Sequence, residues 1–171
     1  HDSDDGSGSV GISNSHATGN IYAYSSSSNY SHAGGLVGYS YGSGGISKSY
    51  ATGDVYVSSS SSTSSFSTAV YGGGLAGTGG GGSITDSHAT GDVHAYARTS
   101  RSNSGFAGGL VGIESSVISI TNSYATGNVY GSRAVGGLVG HSNGAISKSY
   151  ATGNACASFP SSYISSYRVG G

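Results

Sequence analysis

A decapeptide that returns five times constrains this chain more than anything else in it. The copies run Ile12–Ile21, Ile46–Val55, Ile84–Val93, Ile120–Val129 and Ile146–Ala155, around the common pattern Ile-Ser-x-Ser-Tyr-Ala-Thr-Gly-x-Val. Between them a Gly-Gly-Leu-Val/Ala-Gly element returns four times, at Gly34–Gly38, Gly73–Gly77, Gly108–Gly112 and Gly136–Gly140. Successive Ile positions are 34, 38, 36 and 26 residues apart, so the last interval is the bare unit. The length differences fall in one place, between the end of the decapeptide and the next Gly-Gly-Leu, where Ser25–Ser28, Ser58–Ser62 and the polar stretch Arg98–Ser104 lie. Variation confined to one point of a repeat marks a solenoid whose insertions leave stacking undisturbed, and these stretches are expected to be corner loops.

No repeat has a helical apolar period. The runs are short, β-branched or aromatic, and bounded by Gly, which is strand chemistry. The expected fold is therefore all-β, a parallel β-solenoid of about five coils with Ser-rich corner insertions, formed by residues 1–171 as one domain. Three short strands and three turns fit a coil of the bare length, and five coils at the inter-strand spacing make a rod section on the order of 24 Å long. Charged Lys48, Asp86 and Lys148 at the third decapeptide position should face water. Alternation then sends Tyr50 and Thr52 outward and Ser49 and Ala51 inward. The expected core columns are Leu36, Leu75, Leu110 and Leu138, with Ile12, Ile46, Ile84, Ile120 and Ile146. The expected outward aromatic columns are Tyr50, Tyr124 and Tyr150, then Tyr22, Tyr56 and Tyr130.

Composition acquires meaning only against this repeat. Gly (33) and Ser (40) fill 73 of 171 positions, a content that in an aperiodic chain reads as disordered linker. The six Lys and Arg against seven Asp and Glu are too few and too balanced to wrap nucleic acid. No apolar run approaches the ~20 residues of a membrane span. One cysteine, Cys156, excludes an internal disulfide and leaves an intermolecular one open.

The Gly-Gly-Leu-Val-Gly element followed by Ile-Ser-x-Ser-Tyr-Ala-Thr-Gly-x-Val resembles the GLUG-type repeat of bacterial surface proteins, among them secreted adhesins of the filamentous-haemagglutinin type and some surface-anchored peptidases. The resemblance covers nearly the whole chain. It implies a secreted, extracellular or cell-surface β-solenoid, and it implies no reaction, since no residue here matches a peptidase site.

Candidate chemistry is sparse. His16 and His88 replace Tyr in one column and His94 replaces Tyr in the other, so they read as exposed surface rather than general bases, and no catalytic residues are assigned. The acidic stretch His1–Gly6 departs from the D-x-D-x-D-G calcium pattern at its earlier positions; no metal or cofactor is expected. Asn29-Tyr30-Ser31 matches the N-glycosylation sequon. The threonine column Thr18, Thr52, Thr90, Thr126 and Thr152 suggests an ice-binding face, as a minor alternative. Outward Tyr columns offer platforms for sugars or for stacking.

The chain stops at Val169-Gly170-Gly171, in phase with Val135-Gly136-Gly137, and starts in the stretch that follows the Gly-Gly-Leu element. Uncapped coils present open strand edges. The expected function is thus a structural one: a subunit joined head to tail with copies of itself into a filament or surface fibre, with Val169, Gly170 and Gly171 at the joint. The alternative is a stalk or binding segment of an adhesin recognising glycans or a host surface.

Overall fold

The structure, a computed structural model, describes residues 11–26, 30–40, 42–61, 68–99, 103–116, 118–158 and 168–170. The described residues form a parallel β-solenoid, with every strand paired to its equivalents in the neighbouring coils. Each coil has five short strands rather than three, so five sheets run along the rod. The first contains Ile12–Ser13, Ile46–Ser47, Ser83–Thr85, Ser119–Thr121 and Ile146–Ser147, and the second His16–Ala17, Tyr50–Ala51, His88–Ala89, Tyr124–Ala125 and Tyr150–Ala151. The third holds Ile21–Ser25, Val55–Ser61, Val93–Thr99, Val129–Gly131 and Ala155–Ala157, and the fourth Ser31–Gly34, Thr68–Gly73, Asn103–Gly108, Ala134–Gly136 and Arg168–Gly170. The fifth sheet has four strands, Val37–Tyr39, Ala76–Gly79, Val111–Glu114 and Val139–His141. Four coils are complete; in the fifth, four strands are described.

The extra strands come from two corners inside the decapeptide. At its third position Asn14, Lys48, Asp86, Asn122 and Lys148 all take φ of 48–50°, a left-handed turn that Asn and Asp tolerate better than other side-bearing residues. This turn resets the alternation, so Ser47 and Lys48 both avoid the interior while Ser49 and Ala51 are buried. The second corner is the Gly-Asx pair, where Gly53, Gly91, Gly127 and Gly153 pass so close to the preceding coil that a Cβ would meet its backbone oxygen at 1.9–2.2 Å.

Side chains hold both corners where strand pairing lapses. Inward Ser15, Ser49, Ser87, Ser123 and Ser149 each donate Oγ–H to the carbonyl two residues back, at 2.7–2.9 Å. In the last four of these, the same oxygen accepts the N–H of the serine one coil earlier, at 3.1–3.2 Å. At the second corner the N–H groups of Asp54, Asp92, Asn128 and Asn154 donate to the side-chain oxygen of Asn20, Asp54, Asp92 and Asn128, at 2.7–3.1 Å. Buried backbone donors must be satisfied, and here the repeat's Ser and Asx do it.

The interior has two lobes. One joins Ile46, Ile84, Ile120, Leu75, Leu110 and Val111 with the Ala of the second sheet; the other joins Val55, Val57, Val70, Val93, Val129 and Val135 from the third and fourth sheets. Between the lobes a Gly-Ala contact closes the waist: a Cβ on Gly74 or Gly109 would lie 2.7 Å from the Cβ of Ala89 or Ala125.

The serine insertions are not simply corner loops. Ser58–Ser61 belong to the strand Val55–Ser61 and pair in register with Tyr96–Thr99, while Asn103 and Ser104 open the strand Asn103–Gly108. Longer repeats therefore lengthen the third and fourth sheets in step. Extra residues of adjacent coils find each other because their alternation matches, and Ser59 and Ala97 are buried between them. Ser27, Ser28, Ser62 and residues 100–102 lie outside the described residues, as do His1–Gly6, Asn29 of the sequon, and Gly171.

Candidate functional site

What this solenoid presents outward is a set of ring columns, and the repeat dictates their geometry. Consecutive coils pair in register, so residues at one repeat position lie a single inter-strand spacing apart, close to the distance at which flat rings stack. In the second sheet His16, Tyr50, His88, Tyr124 and Tyr150 stack at centroid separations of 5.1, 5.0, 4.7 and 5.3 Å, with interplanar angles of 4–10°. In the third sheet Tyr22, Tyr56, His94 and Tyr130 stack at 5.1, 4.6 and 4.7 Å. The expected aromatic residues thus fall into two continuous columns, with the histidines as members. The end rings are open, Tyr22 and Tyr150 at 73% and 55% exposed and His16 exposed too; the inner rings are half-buried by their neighbours. Burial lowers the His88 and His94 imidazoles below their usual pKa, with Asp92 and Asp54 pulling His94 partly back.

Cys156 is exposed and pairs in register with Tyr130, so it ends the second column where a ring would continue it. Thr18, Thr52, Thr90, Thr126 and Thr152 form an exposed column one residue wide, between the Tyr/His column and the Asx corner.

A third column was not singled out from the sequence. His32, Tyr71 and Phe106 are in register on the fourth sheet and stack at 4.8 and 5.4 Å. Its signal was present: each ring stands two residues before a Gly-Gly. His32 also approaches the fifth sheet, with Nδ1 2.6 Å from Thr78 Oγ1, and burial lowers its pKa. Glu114 was missed as well. It is 1% exposed, and its Oε2 accepts from Ser142 Oγ, Asn143 N and Gly144 N at 2.8, 2.8 and 2.9 Å, while Oε1 has no partner. It ties the loop of one coil to the strand of the previous one.

The core columns divide by position along the rod. Leu75, Leu110, Ile46, Ile84 and Ile120 are fully or almost fully buried; Leu36, Leu138 and Ile12 are partly covered. Ile146 departs from the expected core, at 44% exposed, because no described coil stacks beyond it. Val169 is 54% exposed on the same edge, and Gly170 beside it is exposed too. A cleft of about 540 Å³ opens there into the interior, floored by Val135, Leu138 and Val139 and rimmed by Ile146, Val169 and Gly170.

Among the described residues no group of three or more His, Cys, Asp or Glu is placed to hold a metal, and no helix is long and apolar enough to cross a membrane. In comparison with known families, residues 29–56 and 131–155 match the GLUG motif. Each match spans one Gly-Gly-Leu element and the decapeptide after it. No match was found among curated proteins or solved structures.

Proposed function

We propose that this chain is an extracellular structural module, a β-solenoid rod that lengthens into a filament or surface fibre by in-register addition of coils from further copies. The observation that carries this reading is the open coil edge at Ile146 and Val169, with its 540 Å³ cleft. Such an edge presents unpaired strand groups and apolar side chains together, the combination that templates strand addition. The opposite edge of the rod repeats the same positions: Ile12 answers Ile146, His16 answers Tyr150, Asn20 answers Asn154 and Ala33 answers Val169. A copy docked one spacing further on would continue the first four sheets, while the fifth, with no described strand in the last coil, would skip a level. Unlike surfaces meeting head to tail form an open, non-closing array, and a net charge of −1 puts little repulsion in its way.

The reading assigns the chain no reaction. Its inward corner serines spend their hydroxyls on backbone groups, and its column histidines are stacked among tyrosines. The likeness to surface-protein repeats supports the extracellular part of this reading. Purified chain incubated at micromolar concentration and imaged by electron microscopy tests the proposal: fibres one coil wide are expected, and isolated short rods that persist on concentration would sink it.

The ring columns favour a second reading, a stalk or adhesin segment that engages glycans, because exposed Tyr faces suit sugar stacking. A glycan-array screen on dispersed protein separates the two.

A further inference from the structure

The column His32–Tyr71–Phe106 runs on, in register, to Ala134 and then Arg168. Across the Gly-Gly-Leu turn stands the fifth-sheet column Tyr39, Thr78, Ile113 and His141. In the first three coils a ring occupies the angle between these columns: His32 meets Tyr39 edge-on at 4.8 Å, and Phe106 tilts toward His141 at 6.2 Å. In the fourth coil Ala134 supplies only a methyl. A cleft of about 440 Å³ opens at that level, lined by Phe106, Arg133, Ala134, His141, Ser142 and Arg168.

Phe106 and Arg168 are two coils apart, a separation of roughly 9–10 Å at the usual strand spacing. One flat ring fits between them, at the stacking distance the column uses elsewhere. Two of the six basic residues of the chain, Arg133 and Arg168, line this one cleft. The Arg133 guanidinium lies over the Phe106 ring, 5.7 Å from its centre, in the place a bound ring would take, so binding turns this side chain toward the ligand's anionic group. The carboxylate of Glu114 stands behind Ser142, its Oε2 already accepting three hydrogen bonds. Guanidinium groups pair with carboxylate and sulfate oxygens in a planar fork, and a six-membered sugar ring stacks on an aromatic face.

We propose that the cleft at Ala134 binds an acidic sugar, a pyranose ring taking the place over Phe106 that the Arg133 guanidinium fills in the free chain, with its anionic group on Arg133 and Arg168. The site is complete within one chain, so the proposal does not rest on filament formation.

Titration calorimetry of the full chain with glucuronate, glucose 6-sulfate, glucose and benzoate tests it. Either or both anionic sugars are expected to bind, at least tenfold more tightly than glucose, and their ratio tells carboxylate from sulfate preference. Arg168→Gln, at an exposed position, should weaken that binding tenfold or more with an unchanged melting curve. Ala134→Phe should abolish it by completing the column. Glucose binding as well as its charged relatives, binding by benzoate alone, no binding at all, or unchanged affinity in Arg168→Gln would each overturn the proposal.

Discussion

At the residue scale, the third decapeptide position sets the course of every coil. Its left-handed turn is occupied by Asn or Asp in three coils and by Lys48 and Lys148 in the other two. A lysine there gives up about 1 kcal/mol that Asn recovers, so Lys48→Asn should raise stability by about 0.5–1 kcal/mol in denaturant unfolding. Ser59 makes the opposite case to the corner serines, because its Oγ is buried with no partner. Ser59→Ala is expected to be neutral or to stabilise by up to about 1 kcal/mol. Ser87→Ala removes the acceptor for the N–H of Ser49 and should cost about 1–3 kcal/mol. That reversal between two buried serines, read from urea midpoints, checks the assigned roles. The inward direction of Ser49 and Ala51 was legible from the charge at position three. The turn itself was not, because Lys at positions 48 and 148 hid a preference that Asn14, Asp86 and Asn122 spell out.

At the element scale, strands of two or three residues exist only because five copies pair side by side. Periodicity announces such strands poorly, and a two-residue strand has no period to show, so a coil expected to hold three strands holds five. The serine insertions misled for a related reason. Their composition reads as loop, yet matched alternation between Val55–Ser61 and Val93–Thr99 pairs them as strand. The columns were more legible, since a repeated Tyr position in an in-register stack can only form a column. Cys156→Tyr should extend the second column by one ring and add about 0.5–1 kcal/mol, measurable as a higher urea midpoint. The histidines make the columns sensitive to acid. Burial holds His32, His88 and His94 below the ordinary imidazole value, so the unfolded chain takes up protons first as pH falls. Stability should therefore be full above about pH 6.5 and decline as pH drops through the lowered folded values. Melting temperatures between pH 8 and pH 5 should show this fall, and His88→Tyr with His94→Tyr should flatten it.

At the scale of the whole molecule, a chain with 33 glycines keeps two continuous dry lobes because identical residues stack, coil on coil. Glycine's part is sharpest at the waist, where Gly109→Ala would drive a Cβ into Ala125 and the Gly137 carbonyl. A cost at or above about 3 kcal/mol is expected, the upper range for overpacking, since a backbone oxygen cannot turn aside. The same stacking that builds the lobes leaves Ile146 and Val169 exposed on one edge and Ile12 only partly covered on the other. The proposed function is extension of this rod, edge to repeating edge, by copies of itself. Fibre diffraction from concentrated purified chain tests this most directly. The account predicts fibres with a meridional spacing of about 4.8 Å running unbroken through the subunit joints. Particles that remain single short rods at every concentration, with no such reflection, would contradict it.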